Sequence, residues 1–272
     1  MTLSADLKPK QLQYLPDDFK INTWSKLKPY FSELENRNIK DVKELQKWIK
    51  DVNEVESIVE EDFAWRYIRL SQNSEDKSAE ELYQYFVQEL MPKITPAQDA
   101  LNKKLVNSEF LNQLPKKDYF IYVRGVKNAA KLFRAENIAL STEEQMKAKE
   151  YGSILSKMSI EVNGEELTLQ QARALLEETD RDLRESVYRK VNDRLKQDRK
   201  ALDDLFDELI TIRHQIALNA GFSNYRDYKF AAMGRFDYEV KACYAFHDSV
   251  AKEVVPITSD MLAHRKKALG LK

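Results

Sequence analysis

Residues 213–238 read R-H-Q-I-A-L-N-A-G-F-S-N-Y-R-D-Y-K-F-A-A-M-G-R-F-D-Y, and this stretch decides the fold. A helical run enters it and meets Asn219-Ala220-Gly221-Phe222. Glycine tolerates the left-handed backbone that closes a helix, and an apolar residue after it can pack back on the last turn. Ser223-Asn224 then supply the side-chain oxygens that start a new helix. That helix carries Tyr225, Tyr228 and Phe230 and breaks at Gly234-Arg235-Phe236-Asp237-Tyr238. Helices closed by glycine and opened by Asn, Asp, Ser or Thr are therefore the expected grammar of the whole chain.

Upstream, the spacing predicts one long helix from Asp180 to about Asn219, with Leu202, Leu205, Phe206, Leu209, Ile210, Ile212, Arg213 and Ile216 on its buried side. Some 40 residues at 1.5 Å each would span about 60 Å. Before it, Thr168 and Gln171 have the spacing of a capping box that opens a short helix to about Glu178. Residues 157–169, K-M-S-I-E-V-N-G-E-E-L-T-L, break the helical period. Asn163-Gly164 between short alternating runs predicts a hairpin with a type I′ turn.

Further upstream, residues 1–22 read as irregular, with Pro9 and Pro16 as breakers. Helices are expected from Thr23 as N-cap to Asn36, from Asp41 to Asn73, and from Ser78, with Glu81 as capping partner, to Asn107. Pro92 and Pro96 should kink or interrupt the last of these. Two more are expected over Tyr119–Ala135 and Ser141–Ser156, after a junction near 105–117. Downstream of the quoted stretch, a final helix is expected over Tyr238–Val255, with Ile257–Leu271 as a tail without structure of its own. The fold class is thus all-α, mainly long antiparallel helices, with one small β-hairpin near residues 157–169. The organisation reads as a helical segment 1–105, a middle unit 106–175 with the hairpin, and a third unit 176–272.

Composition agrees with this. Six glycines in 272 residues leave little room for phosphate loops or multi-strand sheets. Lys and Arg number 44 against 45 Asp and Glu, so no global charge pulls the chain toward nucleic acid or an anionic membrane. Cys243 is the single cysteine, which excludes a disulfide framework. No apolar run has the length of a signal core or a membrane span, and a cytoplasmic protein is expected.

Chemistry-bearing patterns are few. A zinc hydrolase needs two or three convergent His or carboxylate ligands and an open position for water. The histidines are His214, His247 and His264, and no H-E-x-x-H occurs. Cys243 and His247 lie one helical turn apart and would make at most a two-ligand site or an unoriented nucleophile pair. No catalytic or metal-ligating residue is expected in this chain. The aromatic segment is different: Tyr225, Tyr228, Arg235 and Tyr238 combine rings, hydroxyls and a cation at a helix break. Such a surface can meet peptide carbonyls or a carboxylate. The competing reading is a packed junction in which Arg235 pairs with Asp237 or Asp227.

Four segments in order, N-S-E-F-L at 107–111, M-S-I-E-V-N-G-E-E-L at 158–167, the R-x-L-R-E-S-V-Y-R run at 181–189 and the quoted block, resemble the oligoendopeptidase F branch of the thimet-oligopeptidase-like metallopeptidases. The resemblance implies the helical lobe of a two-lobed zinc peptidase whose deep channel admits short peptides. It covers most of residues 100–255 and matches the N-terminal half of such a protein. Family members hold zinc with H-E-x-x-H and a later Glu, and none of these can be carried onto this sequence. The resemblance therefore implies zinc in the full-length protein with none bound by this chain. It also implies short peptides and the missing C-terminal half as partners, and an apolar patch where that half docks. The alternative left open is a non-catalytic helical module that binds a peptide or protein.

Overall fold

The computed structural model describes residues 11–271; the first ten residues, including Pro9 as a breaker, lie outside it. Helix α1 (Trp24–Asn36) follows an irregular segment, and α2 (Val42–Gln72) runs back along it. Asp41 caps α2 by accepting the N–H groups of Lys43 and Glu44 at 2.8 Å. Thr23 precedes α1 as expected, but its hydroxyl bonds Ser25 and not the helix backbone.

The expected helix from Ser78 to Asn107 is three pieces: α3 (Lys77–Tyr85), a π-turn over Phe86–Leu90, and α4 (Met91–Val106). Its cap is Asp76, which accepts from Ser78 and Ala79, so the Ser78–Glu81 box does not form. Proline lacks an N–H and its ring collides with the carbonyl four residues back. The wider π-turn ends just before Pro92 and moves that carbonyl aside, so the chain stays helical. The same device recurs at the far end. α11 (Val240–Ser249) passes through a π-turn, Val250–Val254, into α12 (Val255–Ala268), with Pro256 in its first turn. Residues expected to be a structureless tail are thus a helix.

After a 3-10 turn at Leu111–Gln113, α5 (Lys116–Leu132) packs on α4, and α6 (Asn137–Ser156) leads to the hairpin. Strands β1 (Ser159–Val162) and β2 (Glu165–Thr168) pair antiparallel, Ser159 opposite Thr168 and Val162 opposite Glu165. Asn163 and Gly164 have φ of 55° and 85°, the signs a type I′ turn needs. Thr168 and Gln171 form the capping box of α7 (Leu169–Ala174).

The single long helix expected over 180–219 is two: α8 (Arg181–Gln197) and α9 (Arg199–Asn219). Asp198, at φ −96° and ψ 9°, ends one and begins the other, and Arg194 pairs with its carboxylate. The apolar period does not register this break because each half keeps its own stripe. Separate cores explain it. Val187 and Val191 of α8 pack with the hairpin and α7, while Leu205, Leu209, Ile212 and Ile216 of α9 are buried, with α6 as the principal neighbour. Phe206 and Ile210, expected inside, are about half exposed.

The largest core joins α1, α2, α4 and α5 around Leu27, Phe31, Leu34, Trp48, Ile49, Val55, Phe86 and Leu101. Two charged elements sit within its shell. Arg37 bonds the buried Asp51 and also the Glu33 carboxylate, and Lys104 Nζ donates to the carbonyls of Leu34, Glu35 and Arg37 that end α1. Half-buried Glu56 faces α5 without such a partner. Burial, and secondarily the like charge of Glu60, push its carboxyl up to about 7, and Glu56 in turn adds to the burial that raises the Tyr122 hydroxyl. A carboxyl whose folded pKa is raised stabilises the fold below its unfolded pKa and loses that contribution as pH rises through the folded one. Stability is therefore expected to fall between about pH 5 and pH 8. Glu56→Gln is expected to gain on the order of 1 kcal/mol at pH 8 and nothing at pH 5, discounting the shift for partial solvation. Urea midpoints at the two pH values test this; an equal change at both would show that Glu56 does not titrate there.

Candidate functional site

The quoted stretch forms a short helix, α10 (Tyr225–Ala232), held between two glycine closures. Gly221 has φ 85°; its N–H donates to Leu218 O at 2.9 Å and that of Phe222 to Ala217 O at 3.0 Å. Gly234 repeats the arrangement at φ 65°, with its N–H on Ala231 O and that of Arg235 on Phe230 O. A side chain at either position would strain the backbone. Asn224 caps the helix, its Oδ1 accepting from Asp227 N at 2.9 Å.

Amides of the preceding helices clamp these ends. Asn128 of α5 donates to Ala231 O at 2.9 Å. Buried Asn137, at the start of α6, donates to Ile216 O at 3.0 Å and accepts from Asn219 at 2.7 Å. These side chains add a second donor to carbonyls near the helix ends, where Ala231 O already takes the Gly234 N–H and Ile216 O the Ala220 N–H.

The four residues singled out in the sequence fall into two pairs. Tyr225 and Tyr228 are half-buried with ring centroids 5.9 Å apart. The Arg213 guanidinium lies over Tyr225 at 5.9 Å and its Nε bonds Glu144 at 2.7 Å. Burial first, then the Glu144 charge, raise both phenols above their ordinary range, so both remain neutral hydrogen-bond donors near pH 7. Tyr228 also faces a cavity of about 310 Å³ walled by α4, α5 and α6, with Asp99, Asn102 and Gln145 among its lining. Arg235 and Tyr238 are exposed and meet through Phe230: the guanidinium sits 5.3 Å from that ring and Tyr238 packs edge-on to it at 5.4 Å.

Neither expected partner takes Arg235. Asp227 is held by Arg226 at 2.8 Å, and Asp237 by Arg124 of α5 at 2.9 Å. Arg124 is the residue the sequence reading missed. Its guanidinium is stacked 4.4 Å from the Phe236 centroid and 5.3 Å from that of Phe120, so it pins the 234–238 loop onto α5. The Phe120–Arg124 spacing of one turn was the only signal in the sequence; its other partners lie more than a hundred residues away.

The histidines do not converge. His214, His247 and His264 are exposed, and Cys243 is partly exposed one turn from His247. Among the described residues no three His, Cys, Asp or Glu side chains are grouped to hold a metal. No described helix is long and apolar enough to cross a membrane.

A different kind of surface lies beyond the loop. From Val240 to Leu271 none of the described residues is buried, although Phe246, Ile257, Met261 and Leu262 are each more than 60% exposed. Apolar side chains along these two consecutive helices therefore form an exposed apolar face.

Comparison with known proteins adds three findings. Residues 17–133 match the model of the peptidase M3 N-terminal domain, and residues 174–272 match that of peptidase family M3. No curated protein sequence is similar enough to count as a relative. Among solved structures, a Bacillus anthracis protein assigned as an oligoendopeptidase F superposes with a TM-score of 0.87 at 23% identity, over 94% of this chain and 47% of that one. PZ peptidase A, solved with an inhibitor, gives 0.86 at 22% identity over 93% and 45%. Oligoendopeptidase F from Enterococcus faecium gives 0.69 at 17% identity over 91% and 52%. The chain spans about half the length of the structures it matches.

Proposed function

The chain belongs to peptidase family M3, matched over residues 17–133 and 174–272, and from that premise we propose that it is the N-terminal portion of a zinc-dependent oligoendopeptidase acting on short peptides. In this reading its helices wall the substrate channel, and residues outside the chain supply the zinc ligands. The observation that carries it is the uncovered apolar face from Val240 to Leu271, which a second half of the protein would bury. The likeness to peptidases over about half their length is consistent with this.

Within that wall, Arg235 and Tyr238 are assigned to the peptide backbone and Tyr225 and Tyr228 to the shape of the junction behind them. The exposure of the first pair and the half-burial of the second support this division. Isothermal titration of the chain with a blocked pentapeptide tests it. Arg235→Ala with Tyr238→Phe is expected to weaken binding by about tenfold, the worth of one or two charge-assisted or buried hydrogen bonds. Tyr228→Phe, which keeps the ring and removes only the hydroxyl, should change it by less than about twofold. Unchanged binding in the double variant would remove these residues from the wall.

A further inference from the structure

Leu111, Leu114 and the ring of Phe120 floor a groove of about 570 Å³ against the N-terminal half of α5, and Lys116, Arg124 and Lys127 stand around it. Among the described residues that line it, none is acidic. The surrounding sequence is locally basic: residues 115–134 hold six Lys or Arg (Lys116, Lys117, Arg124, Lys127, Lys131, Arg134) against Asp118 alone, in a chain whose net charge is −1. Cations crowded on one helix repel one another, and an anion seated among them relieves that repulsion.

Arg124 is the best placed of the three. The rings of Phe120 and Phe236 hold its guanidinium, and Asp237, itself 78% exposed, occupies only one edge of it. Its Nε is buried without a partner. A fork already fixed by stacking loses little freedom when it meets a carboxylate. Lys116 and Lys127 are exposed, and neither forms an ion pair among the described residues, so their charge is available.

We propose that this groove takes the C-terminal end of a short peptide. The free carboxylate lies among Arg124, Lys116 and Lys127, and an apolar side chain next to it rests on Leu111, Leu114 and Phe120. The volume is that of a small-ligand site, room for one or two residues. The same Arg124 holds Phe236 and Asp237, which directly precede Tyr238, so the groove adjoins the wall assigned above and its occupant is a peptide on that reading. A fatty acid presents the same carboxylate and apolar tail and is the competing source.

Isothermal titration of the 272-residue chain with the peptide Gly-Gly-Phe-Leu, its C-terminal amide, and decanoate distinguishes these. The free acid is expected to bind about tenfold or more tightly than the amide, with an advantage that shrinks at high salt. Lys116→Glu with Lys127→Glu, both exposed positions, should abolish that advantage while circular dichroism stays unchanged. Equal binding of acid and amide overturns the groove assignment and leaves the Arg235–Tyr238 wall standing. Decanoate binding more tightly than the peptide acid also overturns it, in favour of a lipid. Acid preference that persists in the double lysine variant overturns it as well. Loss of all peptide binding in the Arg235–Tyr238 variant, with acid preference intact in the parent, leaves the groove standing as a subsite of that wall.

Discussion

Continuing these residues into a C-terminal half that carries H-E-x-x-H is expected to raise peptide turnover by at least about 10⁶-fold over the uncatalysed reaction, the low end of what enzymes achieve. Residues 1–272 alone are expected to give none. The reason is the donor inventory: hydrolysis by zinc needs convergent ligands around an open position, and the described residues group no three candidate donors. The second reason is packing. Met261 and Leu262 of the last helix and Leu269 at its C-cap are all exposed, and apolar side chains on α12 do not form a single stripe. A helix apolar on several sides requires more than one neighbour. Joining the halves should therefore also reduce binding of a hydrophobic dye. The check is cleavage of a quenched fluorescent peptide with and without chelator. Chelator-sensitive turnover by residues 1–272 alone would overturn the functional reading.

Trp48→Ala is expected to cost about 4 kcal/mol, within the usual range for removing a buried aromatic ring. Trp48 is 1% exposed at the centre of the largest core, its indole N–H donates to Leu34 O at 2.8 Å, and Lys104 Nζ lies 5.6 Å from the ring. The substitution leaves a cavity between α1, α2 and α4 and takes one donor from the end of α1. Leu34 O keeps Lys104, so the loss comes mainly from packing. Trp48→Phe, which retains most of the volume, should cost about half as much. Trp24 packs against this core and remains in the Trp48 variants, so its fluorescence reports the core, while the hairpin core at Met158–Val191 is followed by backbone amide exchange. A drop in the fluorescence midpoint with the hairpin amides unmoved is the expected result. Equal loss in both would mean that the cores unfold as one unit.

Much of the fold was legible because it rests on local chemistry. The Asn163-Gly164 turn, the Thr168–Gln171 box and the Gly221 closure each depend on a few adjacent residues, and each is found where the sequence puts it. The Asp198 break was not legible, because it is decided by what each half packs against: α8 meets the hairpin and α7, and α9 meets α6. An apolar period reports that a helix has a buried side, not which neighbour buries it. Pro92 was expected to kink or interrupt its helix because its lost hydrogen bond is local, and the interruption takes the form of a π-turn just before it.

The candidate site divides the same way. Tyr225, Tyr228, Arg235 and Tyr238 could be picked from composition at a helix break. Their sorting into a half-buried pair and an exposed pair could not, because Glu144, Arg213 and Phe230 reach them across the fold.

By itself the sequence determined that this is a helical chain with one hairpin, that Thr168, Gly221 and Asn224 mark helix ends, and that no H-E-x-x-H motif is present, since each is a property of neighbouring residues. Only the tertiary structure decided that Arg124 fastens the 234–238 loop, that the 180–219 run bends at Asp198, and that the face from Val240 onward is uncovered. Those depend on pairings across a hundred residues or on the absence of a described neighbour, and no local propensity encodes a distance in space.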